Sequence, residues 1–324
     1  MTSVVICAYT TKRWTQLQAA VESVASQTDD VEIVIVIDHN DQLLADSVAR
    51  WPHRRVVANR FAKGLSGARN TGVSESTGDV IAFLDDDATA ASGWLDALNA
   101  GFTDQAVGGV GGHVMPAWEK SPPNWLPPEF FWVIGCSYVG LPAIAQEVRN
   151  PIGANMGFRR SVFEQVGGFR EEIGRVGTIP LGCEETELSL RARAAGFSVW
   201  YAPDATVHHS VPAERMTVRY FVRRCYAEGL SKALVSALAG RTEGLASERA
   251  YVTRTLPRAV RDALRRVVCG PSRVDGLCRA AAVIGGVAAA GTGFVRGTVS
   301  YRARRAPLGP APSLRWDIEI RDRH

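Results

Sequence analysis

Apolar runs alternate with amphipathic segments along the first hundred residues. Four short runs rich in β-branched residues predict strands, and the segments between them have the apolar spacing typical of helices. The predicted strands are Ser3–Tyr9, Val31–Asp38, Arg55–Asn59 and Asp79–Asp85, and the predicted helices are Trp14–Ser26, Asp41–Arg50 and Ser66–Ser76. Because the strand runs are almost wholly apolar, we expect a doubly wound, mainly parallel α/β sheet that is covered on both faces.

The pattern changes twice further along the chain. Residues 109–212 are less regular, with a Pro- and Trp-rich stretch at Pro116–Pro128, a turn at Pro203-Asp204 and a helix predicted at Glu184–Ala195. From Glu214 the sequence is helical, and Ala280–Val295 has sixteen residues without a charge, fewer than the roughly 20 that span a bilayer. We therefore predict a domain over residues 1–212, with halves that meet near residue 115, and a helical region over 213–324 with a weakly ordered tail.

Charge is divided unevenly between these two regions. Residues 1–212 contain 16 basic and 24 acidic residues, whereas residues 213–324 contain 21 basic and 9 acidic ones. A basic region of this kind suits an anionic partner, either phospholipid headgroups or nucleic acid. Four arginines share one predicted helix face, with apolar residues largely opposite: Arg254, Arg258, Arg261 and Arg265 against Val260, Leu264, Val267 and Val268. This pattern favours a helix at a membrane surface, and a packed helix with a solvated face is the alternative.

The cysteines and the start of the chain indicate a compartment. The six cysteines form no C-x-x-C pair, and residues 3–9 resemble a strand rather than a signal peptide. We therefore expect free thiols and a cytoplasmic location.

Three adjacent carboxylates, Asp85–Asp87, follow the fourth predicted strand. Ligands of α/β sheets bind at the carboxyl ends of the strands, and clustered carboxylates suit a hard divalent cation such as Mg²⁺ or Mn²⁺. A solvated acidic turn is the alternative. His209, at the end of a later apolar run, can complete such a metal site, although paired histidines such as His208-His209 are more often structural.

Two further segments are candidates for binding or catalysis. Glu184 and Glu185 begin a predicted helix, where acidic residues are also favoured by the helix dipole alone. The Gly-rich turn Gly64–Asn70 opens another helix, and Arg69 within it can hold phosphate oxygens. No G-x-G-x-x-G follows the first strand, where Ala8–Lys12 stands instead, so a dinucleotide-binding oxidoreductase is disfavoured.

In this order the segments resemble glycosyltransferase family 2 over about Ser3–Ser210. The resemblance rests on Val4–Thr10, Ile35–Asp38, Gly64–Asn70, Phe83–Asp87, Gly167–Phe169, Glu184-Glu185 and His209. It implies the GT-A fold and inverting transfer of a sugar from a nucleoside-diphosphate sugar, UDP above all, with Mn²⁺ or Mg²⁺ as cofactor. An inactive relative that binds nucleotide sugars is the alternative.

The resemblance also implies roles for individual residues. The donor-side residues are Ala8, Tyr9, Thr10, Asp38, Gly64, Arg69, Asp85 and Asp86, and the metal ligands are Asp85, Asp87 and His209. Glu185 is implied as the general base, with Glu184 as the alternative, because the family's usual Glu-Asp pair is Glu-Glu here.

A narrower similarity concerns the acceptor. Met115–Trp118, Trp125–Phe130 and Arg149–Asn155 look like segments of the glucosyl-dolichyl-phosphate glucuronosyltransferase branch of the family. This similarity implies a lipid-linked or cell-envelope saccharide acceptor and UDP-glucuronate as donor, with Trp118, Asn155 and Arg191 on the acceptor side. We therefore expect an enzyme on the cytoplasmic face of a membrane, and we expect no nucleic-acid partner, because such a partner would not explain Asp85–Asp87.

Overall fold

One mixed β-sheet organises the part of the chain that bears the predicted motifs. The computed structural model describes residues 1–28, 30–174, 182–239, 251–269, 272–304, 311–312 and 314, so nearly all of the predicted tail lies outside the described residues. The strands are β1 Thr2–Ala8, β2 Glu32–Ile37, β3 Arg55–Ala58, β4 Val80–Asp85, β5 Ala88–Ala90, β6 Val107–Trp118, β7 Gln146–Glu147, β8 Asn155–Arg159 and β9 Ser198–Val211. Their order is β3-β2-β1-β4-β8-β6-β9-β5, and β7 pairs with β9.

Helices flank this sheet and then continue beyond it. They are α1 Trp14–Ala25, α2 Asp41–Arg50, α3 Leu65–Glu75, α4 Trp94–Ala100, α5 Arg160–Val166, α6 Glu184–Ala194, α7 Val218–Ala239, α8 Leu256–Cys269 and α9 Arg273–Arg304. The bounds of β1–β4, α1–α3 and α6 agree with the predicted elements to within one residue. The domain boundary predicted near residue 212 falls between β9 and α7 and stays a prediction.

The first four strands form the parallel half of the sheet. Successive side chains of β1 point to opposite faces of the sheet. Val4 and Ile6 belong to the hydrophobic core on the face that α1 covers, and Val5 belongs to the core on the face that α3 covers. Burial on both faces explains why these strands read as continuous apolar runs. Because β1 lies between β2 and β4, their carboxyl ends meet at one edge, as expected for a doubly wound α/β sheet.

The second half of the sheet is mixed and contains one correction to the sequence analysis. Strand β8 is antiparallel to both β4 and β6, and β9 runs parallel to β6. The predicted turn at Pro203-Asp204 is an irregularity inside β9, since Ala202 pairs with Gly112 and Thr206 with His113. Strand β9 therefore continues to Val211 and pairs with β5.

The C-terminal helices form a closely packed layer. A Cβ atom on Gly229 of α7 would lie 2.0 Å from the carbonyl oxygen of Ala290, and one on Gly293 of α9 would lie 2.1 Å from that of Tyr226. Only glycine permits this approach of the two backbones. Helix α8 packs against α9 through buried Leu256, Ala259 and Ala263, whereas Leu264, predicted on the apolar face, is 49% exposed.

Helix α9 is longer than the uncharged segment that the sequence analysis identified. By length and composition alone, the segment Arg273–Ser300 could cross a membrane, and its 18-residue window has a mean hydropathy of 1.5. The uncharged stretch within it is still the sixteen residues Ala280–Val295, flanked by Arg279 and Arg296. One side of α9 packs on α7 and α8, and the other side exposes a row of apolar residues: Val274, Leu277, Ile284, Val287, Val295 and Val299.

Candidate active site

Asp85, Asp87 and His209 converge where β4 ends. The backbone turns directly from β4 into the short strand β5, whose pairing with β9 sets Ala88 opposite His209. One ligand atom from each of Asp85, Asp87 and His209 lies within 4.8 Å of the others. His208, the next residue along β9, is exposed, because side chains alternate along a strand. The structure thus selects His209 from the histidine pair.

Two arginines lie beside this cluster and contact its aspartates. Arg13 donates to Asp86 at 2.8 Å and lies 3.2 Å from Asp87, and Arg215 donates to Asp87 at 3.1 Å. Burial alone would raise the pKa of Asp87, but His209, Arg215 and Arg13 outweigh burial and hold that pKa well below its ordinary value. Burial, followed by the charge of Asp87, raises the pKa of Asp86 to about 7. Asp87 is therefore the ionised carboxylate of the pair.

The residues of this cluster fit a divalent cation. Two carboxylates and one imidazole are suitable ligands for Mn²⁺, and Asp87 is held ionised, as a metal ligand must be. The Nε2 atom of His209 and the Oδ1 atom of Asp87 are 3.2 Å apart. Asp85, Asp87 and His209 are thus close enough to share one ion, and their role as metal ligands stays a prediction.

Arg69 connects the Asp85 side of the site to the first turn of α6. Its side chain is 2% exposed and donates to Glu184 at 2.8 Å and to the Gly153 carbonyl oxygen at 2.9 Å, with Asp85 at 3.5 Å. The guanidinium is held by protein acceptors, which gives Arg69 a structural role, and its phosphate-binding role stays a prediction.

Glu184 and Glu185 occupy different environments at the start of α6. Both line the cavity described below, but Glu184 is buried and paired with Arg69, whereas Glu185 is partly exposed. Burial raises the pKa of Glu185 to about 8, and the neighbouring charge of Glu184 adds to this effect. A carboxyl group with a pKa near neutrality is suited to accept a proton during a reaction.

The residues predicted to bind the nucleotide lie at the carboxyl ends of β1 and β2. Asp38 accepts hydrogen bonds from the Gly64 N–H at 3.0 Å and from Asn59 at 2.7 Å, and its own N–H donates to the Ala8 carbonyl. Tyr9 is 48% exposed, with the Arg13 guanidinium 5.7 Å from its ring, and Thr10 begins the following short helix. Asp38 is thus held by the Gly64 N–H and Asn59, and the binding of a nucleotide by Asp38 and Tyr9 stays a prediction.

The three predicted acceptor-side residues make contacts elsewhere. Asn155 is fully buried, accepts from Trp94 and donates to the carbonyl oxygens of His113 and Ala205. Arg191 binds Glu187 and backbone carbonyls at Val166–Gly168, and Trp118 packs edge-to-face on Phe131. These contacts stabilise the fold, so we do not carry the three residues forward as acceptor contacts.

A cavity of about 850 Å³ adjoins the site. Its catalytic end is lined by Asp85, Glu185 and His209, and its other walls come from the segment 130–154 and from α7, α8 and α9. Tyr9 and Asp38 are not among its lining residues. Of the predicted donor-side residues, Arg69 and Asp85 line this cavity.

Sequence reasoning missed Arg13 and Arg215. Neither belongs to a motif, and in a chain with 37 Lys and Arg residues one further arginine carries no signal. Their position beside Asp86 and Asp87 depends on the start of α1 and the turn after β9, which the pattern of apolar residues does not specify.

Comparisons with known proteins agree with this geometry. The family model described as glycosyl transferase family 2 matches residues 3–167. Glucosyl-dolichyl phosphate glucuronosyltransferase of Haloferax volcanii is 32% identical over 92% of this chain and 96% of that protein. The succinoglycan biosynthesis protein ExoM of Rhizobium meliloti is 29% identical over 63% of this chain and 68% of its own length.

Solved structures show the same fold at low sequence identity. The mannosyltransferase PcManGT from Pyrobaculum calidifontis, in complex with GDP-Man and Mn²⁺, has a TM-score of 0.55 at 17% identity and covers 89% of this chain and 86% of that chain. GalNAc-T7 with UDP, GalNAc and Mn²⁺ has a TM-score of 0.50 at 17% identity, covering 75% and 54%. The fold is therefore of the GT-A type, and with the sequence matches it shows that the chain is a glycosyltransferase that belongs to family 2.

Proposed function

We propose that the chain is an inverting, metal-dependent glycosyltransferase that moves a sugar from a UDP-sugar to a hydroxyl of a lipid-linked saccharide. The observation that carries this proposal is the placement of Glu185 and the Asp85–Asp87–His209 cluster at the same end of one cavity. An in-line displacement requires a proton acceptor at the face of the sugar that the acceptor hydroxyl attacks and a cation at the leaving diphosphate on the other face, and one cavity that both groups adjoin can hold such a sugar between them.

The proposed step is a single displacement. The acceptor hydroxyl oxygen forms a bond to the anomeric carbon while the bond from that carbon to the diphosphate oxygen breaks. The electron pair of the broken bond leaves with the diphosphate, and the hydroxyl proton passes to Glu185. Attack opposite the leaving group inverts the anomeric carbon. Arg69 keeps Glu184 charge-paired beside Glu185, and Arg13 and Arg215 hold the aspartates in place.

Asp85, Asp87 and His209 would hold the cation, with Mn²⁺ or Mg²⁺ as candidates. Bound there, the cation offsets negative charge on the departing diphosphate. In the same site, Asp38 and the Tyr9 ring are proposed to hold the ribose and base of the nucleotide.

The choice of donor and acceptor rests on the relatives. The relative from Haloferax volcanii is named for a glucosyl-dolichyl phosphate acceptor and for glucuronosyl transfer, and the match extends over 92% of this chain. We therefore place UDP-glucuronate first among donors. The exposed arginines of α8 and the apolar outer face of α9 support a peripheral location on the cytoplasmic face of a membrane.

Release of UDP, GDP or dTDP from a panel of nucleotide sugars with Mn²⁺ and a glucosyl alkyl phosphate tests the proposal. We expect one donor to be consumed, and Glu185→Gln to lower that rate by about 10²–10⁴-fold while donor binding is kept. The matched control is Glu147→Gln, a second carboxylate that lines the cavity and is exposed, for which we expect near-normal rates. Full activity of Glu185→Gln would reject Glu185 as the base, and donor binding without turnover by the wild type would indicate an inactive relative.

A further inference from the structure

The cavity beside the active site has chemically different ends. At the catalytic end are the carboxylates and the histidine described above. Another part of its lining is one apolar stretch of α9: Gly286, Val287, Ala290, Gly291 and Phe294. A sugar and its attacking hydroxyl require polar partners of the first kind. The side chains of this α9 stretch carry no polar group and suit hydrocarbon, whereas charged residues of α7 line the cavity beside it.

This apolar wall reaches the outside of the molecule. Val287 is 39% exposed and Gly291 is exposed, so both belong to the outer apolar face of α9 as well as to the cavity. A Cβ atom on Gly291 would meet nothing within 4 Å, so the space beside it is open. We call this place, at Val287 and Gly291, the side opening. It lies on the same face of α9 as the exposed Ile284 and Val295.

Two positively charged side chains also line this cavity. They are those of Arg254 and Arg258, and both are exposed. They are four residues apart on continuous helical backbone, so their side chains extend in similar directions. Exposed guanidinium groups beside an apolar wall provide a site for an anion that is attached to a hydrocarbon chain.

We propose that the acceptor is an anionic amphiphile whose hydrocarbon chain occupies the side opening. Its phosphate contacts Arg254 and Arg258, and its sugar hydroxyl reaches Glu185. This inference rests on the proposed function. It assigns the acceptor's phosphate and hydrocarbon chain to the C-terminal helices, which lie outside the residues 3–167 that match the family model. Because the opening lies on the apolar face of α9, a chain can pass between a bilayer and the cavity without crossing water.

Binding of simple alkyl phosphates tests the assignment without knowledge of the acceptor sugar. Octyl phosphate and ethyl phosphate, each below its micelle concentration, are titrated into the full chain by calorimetry. We expect octyl phosphate to bind at least about tenfold more tightly, since six further methylene groups leave water. Neutral octyl glucoside is the third ligand, and Arg254→Gln/Arg258→Gln is expected to weaken octyl phosphate about tenfold while leaving octyl glucoside unchanged.

A matched pair of glycine variants tests where the hydrocarbon chain of the ligand binds. Gly291→Trp fills the side opening, whereas Gly285→Trp adds the same bulk on the same helix, at an exposed position that does not line the cavity. A Cβ atom meets nothing within 4 Å at either position. We expect Gly291→Trp to weaken octyl phosphate about tenfold without affecting ethyl phosphate, and Gly285→Trp to change neither.

Two results would overturn the proposal: equal affinities of the wild type for the two alkyl phosphates, or equal behaviour of Gly291→Trp and Gly285→Trp towards octyl phosphate. Binding of UDP with Mn²⁺ is measured on the same samples. If the wild type does not bind UDP with Mn²⁺, the result counts against the proposed function alone, because the alkyl phosphate titrations contain no nucleotide.

Discussion

Glu184 and Glu185 are adjacent in sequence, yet the fold places them in different environments. Glu184 lies 2.8 Å from the buried guanidinium of Arg69 and is 4% exposed, so its charge is already compensated. Glu185 faces the cavity, where burial and the charge of Glu184 raise its pKa. The sequence alone could not choose between them, because the choice depends on which carboxylate meets Arg69.

The raised pKa of Glu185 predicts how activity depends on pH. A base must be deprotonated to act, so kcat/KM should rise with pH and level off above about 8, the pKa to which Glu185 is raised. Glu184→Gln keeps an oxygen acceptor for Arg69 but removes the negative charge next to Glu185, and we expect the midpoint to move to lower pH. Initial rates from pH 5.5 to 9.5 at constant ionic strength measure both profiles. A midpoint that is unchanged or higher in Glu184→Gln would argue against Glu185 as the titrating base.

At the level of single residues, the sequence indicated which side chains could carry chemistry but not which contacts they make. Asp85 and Asp87 were singled out because adjacent carboxylates repel one another, so a fold that gathers them at the end of a buried strand normally supplies a cation. His209 was singled out because an imidazole can complete such a site; the structure brings the three side chains together, and their binding of a metal stays a prediction. Asn155 and Arg191 were assigned to the acceptor side, although the structure binds them within the fold. A polar residue in a single sequence does not reveal whether its partners are protein groups or a ligand.

At the level of elements, the site depends on pairings between distant segments. Strand β5 has three residues, yet its pairing with β9 brings His209 beside Asp87. The backbone N–H of Ser210 also donates to the Asp87 carbonyl at 2.8 Å. The metal-site geometry is therefore a property of this strand pair as much as of the aspartates themselves.

The contact between α7 and α9 gives a prediction about glycine. An alanine Cβ at position 293 would lie 2.1 Å from the Tyr226 carbonyl oxygen, so Gly293→Ala must push the two helices apart. We expect it to lower the free energy of unfolding by about 1–3 kcal/mol. Gly285→Ala, at an open position of the same helix, should instead raise it by about 0.5–1 kcal/mol, because alanine favours helix. Thermal unfolding of both variants checks the difference in sign, and equal shifts would contradict the close packing of the helices.

The elements of the parallel half were predictable, whereas the strands of the mixed half were not. Continuous apolar runs and amphipathic helices mark β1–β4 and α1–α3 locally, so their bounds follow from the pattern. Strand β8 and the irregularity in β9 depend on partners far along the chain. A proline and an aspartate at positions 203–204 resemble a turn by composition, but pairing with β6 on either side holds them within a strand.

At the scale of the whole molecule, an acidic catalytic half adjoins a basic helical layer. Residues 213–324 carry 21 basic and 9 acidic residues, and the outward face of α9 is apolar between its charged ends. Exposed arginines beside exposed apolar side chains are the arrangement found where helices lie on anionic membranes. The cavity that adjoins the active site is walled in part by these same helices.

Vesicle binding tests this arrangement directly. The full chain should float with vesicles that contain anionic phospholipid and should dissociate as salt is raised, since the attraction is screened. Arg261→Glu/Arg265→Glu reverses two exposed charges on α8 and should weaken flotation about tenfold or more. The control, Arg50→Glu/Arg54→Glu, makes the same charge change at exposed positions of the catalytic half and should have little effect. Equal loss in both double variants would indicate a response to net charge alone.

The central claim is that the Asp85–Asp87–His209 cluster binds a divalent cation that holds a nucleoside diphosphate. Calorimetric titration of UDP into the purified chain, with Mn²⁺ and then with excess chelator, tests it most directly. We predict binding with Mn²⁺, at least about tenfold weaker binding with chelator, and loss of the metal-dependent part in Asp87→Ala. A correctly folded wild type that binds no nucleoside diphosphate in the presence of Mn²⁺ or Mg²⁺ would contradict the account.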